Sequence, residues 1–219
     1  MNRRDFLKAS ANTSALPLLT LPVHYVQAST GNASRSIRPG LIISDSRFIA
    51  SRQFGQEAHK LGLPQHTIRG DITALWYQYL DTTWRKNPLV VAGMTSLDSV
   101  FLLEQLANDR QVRLSVRIEH ALTPDGDTTH TIRARQSDHD ELRQTLTDTQ
   151  WHRALAHRFH AGISTDRSQP LISSQSTTLA TTTPVINPLD MPNHLASQNT
   201  TLVSWVMAPA HTIRRYWAS

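Results

Sequence analysis

The sequence predicts an α/β fold, a three-layer Rossmann-like or flavodoxin-like arrangement around a mostly parallel sheet with an edge hairpin and a Ser/Thr-rich arm. Three observations carry that expectation. Strand-like runs at 41–44, 65–70 and 89–93 each lead into a segment of helical period, so strand and helix alternate three times between residues 41 and 107. Right-handed crossovers in that rhythm make the strands parallel. Residues 112–120 then alternate apolar and polar, and 129–135 can pair back as an antiparallel partner.

Taken in order, Leu41-Ile42-Ile43-Ser44 is continuously apolar until its last residue, as a strand covered on both faces should be. Asp45-Ser46 suits a helix N-cap, because a side-chain oxygen there accepts from orphan N–H groups. The following helix places Ala50, Phe54, Ala58 and Leu61 on one side, and Gly62 ends it. Asp71 caps the second helix, whose stripe of Ile72, Leu75, Trp76, Tyr79, Leu80 and Trp84 is stopped by Asn87-Pro88. Thr95-Ser96 begins the third helix, with Asp98 completing a capping-box pattern. Its Leu97, Val100, Phe101, Leu103 and Leu106 predict burial on most sides.

In the alternating strand Val112, Leu114, Val116 and Ile118 face Arg113, Ser115, Arg117 and Glu119, which predicts one wet face. Pro124-Asp125-Gly126-Asp127 has turn chemistry. Residues 138–149 are polar and helix-compatible, and 151–161 form an amphipathic helix on Trp151, Leu155 and Phe159. Between 164 and 201, 14 of 38 residues are Ser or Thr and four are Pro, which predicts a long surface arm. Leu202 to Met207 is a further apolar strand returning to the sheet. The expected organisation is a signal at 1–28, a linker at 29–39, the α/β domain at 40–163, the arm at 164–201, and the last strand and tail at 202–219.

The absence of cysteine excludes iron–sulfur clusters, covalent haem and a disulfide framework. The formal charge is +5, of which the first 28 residues contribute +2. The rest is spread along the chain rather than gathered into a nucleic-acid footprint, and it leans towards anionic ligands.

Arg3-Arg4-Asp5-Phe6-Leu7-Lys8 followed by a mildly apolar stretch and Val26-Gln27-Ala28 resembles a bacterial twin-arginine (Tat) export signal, with cleavage after Ala28. The resemblance implies passage through the Tat translocase and a periplasmic location, with membrane attachment only through an uncleaved signal. It also implies the company of redox enzymes and their escorts, which use that route. The competing reading is a short amphipathic helix with two chance arginines. The apolar stretch is too short and polar for a committed membrane span.

Ligands of open α/β sheets bind beyond the carboxyl ends of the strands. That edge gathers Asp45, Ser46 and Arg47 from the first loop, Arg69 and Asp71 from the second, and Thr95 and Ser96 from the third. These residues are the candidate ligand site, suited to a small anion by helix N-termini and arginine. The competing reading is that Asp45, Asp71 and Ser96 are caps and nothing more. No G-x-G-x-x-G follows the first strand and no G-x-x-x-x-G-K-[ST] occurs, so no nucleotide cofactor is expected, and the absence of G-x-S-x-G weighs against an α/β-type hydrolase. His152, His157 and His160 share a helix, but with Arg153 and Arg158 they read as a solvated basic face, and no metal is expected. Two functions remain: a non-catalytic accessory or binding protein of the periplasm with a protein or small-anion partner, and a small hydrolase or transferase working at the strand ends. A basic-aromatic end, Arg214-Arg215-Tyr216-Trp217, can dock on a partner or pack on its own domain.

Overall fold

The computed structural model describes residues 36–122, 128–164, 170–178 and 201–210. Contacts divide the chain after Ala33, and every described residue belongs to the second unit. The export signal with Arg3, Arg4, Phe6, Leu7, Lys8 and Ala28 lies outside the described residues. So do the 124–127 turn, most of the Ser/Thr-rich arm and the Arg214–Trp217 end.

The described residues form a mixed α/β fold around a seven-stranded sheet. Its strands are β2 (Leu41–Asp45), β3 (Gln65–Ile68), β4 (Val91–Ser96), β5 (Val112–Leu122), β6 (Thr128–Arg135), β8 (Leu171–Thr178) and β9 (Leu202–Pro209), in the order β3-β2-β4-β9-β5-β6-β8. A separate two-stranded ribbon pairs β1 (Ser36–Ile37) with β7 (Ile163–Ser164). Only β3-β2-β4 is parallel; every other pairing in the sheet is antiparallel.

The expectation of a mostly parallel sheet is corrected by β9. All eight of its residues are buried, so this continuous apolar run takes the middle of the sheet, antiparallel to both β4 and β5. The β5–β6 hairpin forms as expected but does not sit at the edge. The edge is β8, drawn from the segment expected to be an arm. An edge strand with one wet side needs no apolar run, and Ser and Thr serve there, which is why composition concealed it.

Helices α1 (Ile49–Lys60), α5 (Gln136–Thr145) and α6 (Trp151–Ala161) share one apolar cluster with Ile42, Ala92, Met94, Val116, Ile118, Ile132 and Val206. Phe54 of α1 meets Phe159 of α6 edge-on, with centroids 5.9 Å apart. Helices α2 (Thr73–Leu75), α3 (Asp81–Lys86) and α4 (Leu97–Asn108) contribute to a second cluster with Leu41, Ile43, Val91, Val203, Trp205 and Met207. Successive strand residues therefore feed alternate clusters, as the two-residue strand period requires.

Two helical expectations need amending. A π-helical turn, Trp76–Leu80, joins α2 to α3. Its extra residue per turn keeps Trp76, Leu80 and Trp84 inward at intervals of four and turns Tyr79 out, 45% exposed. In α4 only one stripe is buried, Ser99, Val100, Leu103 and Ala107; Phe101 is 62% exposed and Leu97 and Leu102 are open as well. Among the described residues no helix is long and apolar enough to cross a membrane.

Candidate functional site

The parallel strands bring their three βα loops together, and the sequence-derived candidates meet there as a closed polar network. The Asp45 carboxylate is fully buried and accepts from the Arg47 backbone N–H at 3.1 Å and from its guanidinium at 2.7 Å through Nη2 and 3.1 Å through Nε. Arg47 Nη2 also donates to Ser96 Oγ at 3.1 Å. Ser96 Oγ lies 3.1 Å from Ser99 Oγ, and Ser99 Oγ donates to the Gly70 carbonyl at 2.8 Å. The guanidinium lies flat against Gly70: a Cβ there would be 2.6 Å from Arg47 Cζ, and φ is +84°. Glycine is required on both counts.

Not every candidate joins. Thr95 is fully buried, and its hydroxyl accepts from the Trp205 indole at 3.1 Å instead of joining the network. Ser46 contributes backbone only among the bonds seen, its amide to the Ile68 carbonyl at 2.9 Å and its carbonyl to Arg52. Arg69 and Asp71 are exposed. Asp71 accepts the Thr73 N–H at 2.7 Å, and Thr73's hydroxyl and amide hold its carboxyl below the usual carboxylate range. The contact is an Asx-type turn ahead of α2 rather than the cap expected of Asp71, since the N-cap position is Ile72 and α2 has no side-chain cap bond. Asp45 lies three residues before the α1 N-cap, Phe48, and Ser96 holds the α4 N-cap position without a side-chain cap bond. Their oxygens are taken by Arg47 instead.

Chemically, this network is a strut. A carboxylate holding a bidentate guanidinium has its lone pairs occupied, and the guanidinium, 29% exposed, spends its Nε and Nη2 donors inside the network. No histidine takes part in it among the described residues, and its one carboxylate, Asp45, is bonded to Arg47.

The chain matches no protein-family model, no curated protein and no solved structure.

A second polar group lies beneath α6, inside the core. His120 and His130 are direct cross-strand partners on β5 and β6, and their Nδ1 atoms are 2.7 Å apart. His120 Nε2 is 2.8 Å from Ser204 Oγ on β9. Trp151 stacks on His120 at 4.2 Å between centroids, and His152 packs edge-on to Trp151. Burial, then the neighbouring His130 and His152, hold the His120 imidazole well below its ordinary value; burial brings His130 and His152 down to about 4. Among the described residues His130 Nε2 and His152 Nε2 have no hydrogen-bond partner. The order Ser204–His120–His130 is that of a nucleophile, a base and an orienting group. All three side chains are fully buried, however, and leave no position beside Ser204 for a reacting atom.

Sequence reasoning placed His152 on a solvated face and passed over His120 and His130. Strand phase was the available signal: His120 continues the inward series Val116-Ile118, and His130 precedes Ile132-Ala134. His157 is exposed as expected and meets Glu57 at 3.2 Å. Among the described residues no group of three or more His, Asp or Glu is arranged to hold a metal.

The remaining concentrations of charge are on the surface. An open groove of about 880 Å³ between α1, α5 and α6 mixes Glu57, Glu141 and Asp148 with Arg153, His157 and Arg158. A cleft of about 360 Å³ on the opposite side of the β5–β6–β8 sheet from α5 and α6 is lined by Arg113, Arg117, Arg133 and Arg135, with Glu104 at its rim.

Proposed function

We infer that this chain is an exported accessory or binding protein of the periplasm, one that meets a partner rather than transforming a substrate. The observation that carries the reading is the Arg47 clamp: Asp45, Arg47 and Ser96, three of the groups that would bind or activate a small ligand at the strand ends, already bond to one another. Arg3-Arg4 with Phe6-Leu7-Lys8 supports passage through the Tat translocase, and Val26-Gln27-Ala28 supports cleavage; an uncleaved signal would leave the chain attached to the membrane. A co-exported redox enzyme is the client that such a signal suggests. The finer fold assignment, a three-layer Rossmann-like or flavodoxin-like packing, is supported by the two apolar clusters that divide the strand side chains between α1-α5-α6 and α2-α3-α4.

The alternative, a small periplasmic hydrolase or transferase, draws on the Ser204–His120–His130 sequence of contacts. It requires α6 to lift away, because Trp151 lies over the His120 ring.

Native mass spectrometry of the protein purified gently from the periplasm tests the two readings. The accessory reading expects a mass beginning at Ser29 and a second polypeptide travelling with it. A bound small molecule and no polypeptide would give the assignment to the enzyme.

A further inference from the structure

The cleft on the wet face of β5, β6 and β8 contains an arrangement that a free-standing sheet avoids. Arg117 and Arg133 stand directly opposite one another in register. Like charges in that position destabilise a strand pair. Arg117 is partly compensated, by Glu119 at 2.8 Å and Glu104 at 3.7 Å. Arg133 is exposed and has no hydrogen bond or ion pair among the described residues. Opposite it on β8 stands Ser173, too short to fill the space above the sheet. Along α4, Leu97, Phe101 and Glu104 follow one another at intervals of four and three, so the exposed apolar pair continues the stripe that borders the cleft.

We propose that this arginine-lined face is the docking surface for an acidic, partly apolar peptide segment of a partner protein. The proposal rests on the accessory reading and names the surface and the partner's chemistry. Charge complementarity selects the occupant. The undescribed segments, residues 1–35, 123–127, 165–169, 179–200 and 211–219, carry Asp5, Asp125, Asp127, Asp166 and Asp190 against Arg3, Arg4, Lys8, Arg35, Arg167, Arg214 and Arg215, a net positive charge. These segments would add positive charge to a positive cleft. A second copy of a chain with formal charge +5 offers no better match. A nucleic acid is disfavoured by Glu104 and Glu119 set among the arginines and by the apolar Phe101 and Leu171 at the margin. Discrete carboxylates separated by apolar side chains fit that alternation. Each can take a guanidinium while an apolar neighbour covers α4.

The test uses the full chain and a fluorescein-labelled peptide of alternating Glu and Leu, followed by anisotropy. The Arg133→Glu variant sets a carboxylate opposite Arg117, a pairing that favours the native register, so loss of binding in it is not loss of fold. Saturable binding to the parent protein is expected, weakened about tenfold or more in Arg133→Glu and weakened again by added salt. The proposal is overturned if the parent does not bind, if the variant binds equally, if a Gln-for-Glu peptide binds as well, or if polyphosphate competes at lower concentration than the Glu–Leu peptide. Failure here with a polypeptide still present in the native mass spectrum removes this surface and leaves the accessory reading standing. Absence of that polypeptide removes both.

Discussion

The Nδ1 atoms of His120 and His130 lie 2.7 Å apart in a part of the core where both side chains are fully buried. One ring must donate and the other accept, and because burial holds both imidazoles well below their ordinary value, both are neutral in the folded protein near pH 7. Protonating either puts an imidazolium beside Trp151 with no carboxylate bonded to the pair.

This fixes the direction of a pH effect. Burial holds His130 and His152 down to about 4, against an ordinary value of 6.5, and holds His120 well below that ordinary value. Between those values the unfolded chain binds more protons than the folded one, so stability falls as pH drops from 6.5 towards 4. Each of His130 and His152 contributes roughly 3 kcal/mol across that window. Asp138 acts in the opposite sense, because its burial, countered by the Ser164 amide and Arg158, raises its carboxyl. Urea midpoints measured from pH 7 to 4.5 should fall steadily, and His152→Gln should make the decline shallower by about one proton. An equally steep decline in that variant would show that His152 is not buried neutral.

Arg47 is expected to matter for stability far more than its position in a surface loop suggests. Arg47→Ala leaves the buried Asp45 carboxylate without its partner, which should cost about 3–5 kcal/mol. Replacing both, Asp45→Leu with Arg47→Met, should recover more than half of that loss, since the uncompensated charge goes with the pair. Equilibrium urea denaturation decides it. A single-variant loss below about 1 kcal/mol would mean that water already compensates the carboxylate.

Much of this arrangement could be read from the sequence, and the parts that could not share a cause. Local signals placed β2-α1, β3-α2 and β4-α4, and the parallel pairing followed from them. They also brought Asp45, Arg47 and Ser96 to one edge. Which atom satisfies which is a matter of tertiary geometry: Asp45 looked like a cap because nothing in the sequence says that Arg47 folds back over Gly70. The central place of β9 depends on a partner strand more than 100 residues away in β4, a separation over which no local period carries information. β8 was concealed for the opposite reason, because an exposed edge strand imposes so little on its residues.

Gly93 is the tightest point in the α2–α4 side of the sheet. A Cβ there would lie 2.5 Å from Trp205 Cζ2 and 2.8 Å from the Ile43 carbonyl. Gly93→Ala should therefore displace the indole, break its bond to Thr95 Oγ1 and destabilise by about 1–3 kcal/mol. Near-ultraviolet circular dichroism should show the loss of a fixed tryptophan environment at unchanged helix content. Retention of the parent spectrum would mean that Trp205 can move without cost.

The opposed arginines make a prediction that is independent of any partner. If Arg117 and Arg133 repel across the strand pair, salt should stabilise the parent protein by screening them. Arg133→Thr removes one charge and places a residue of higher strand preference at the same exposed position. Its Tm should rise by about 1–2 °C at low ionic strength, on the scale of one unfavourable cross-strand pair in a domain of this size. The difference from the parent should shrink as salt is added, because screening does for the parent what the substitution does for the variant. A lower Tm in Arg133→Thr, at low and high salt alike, would show that Arg133 stabilises the sheet through a contact of its own. The repulsion would then cease to be a reason to look for an acidic partner there.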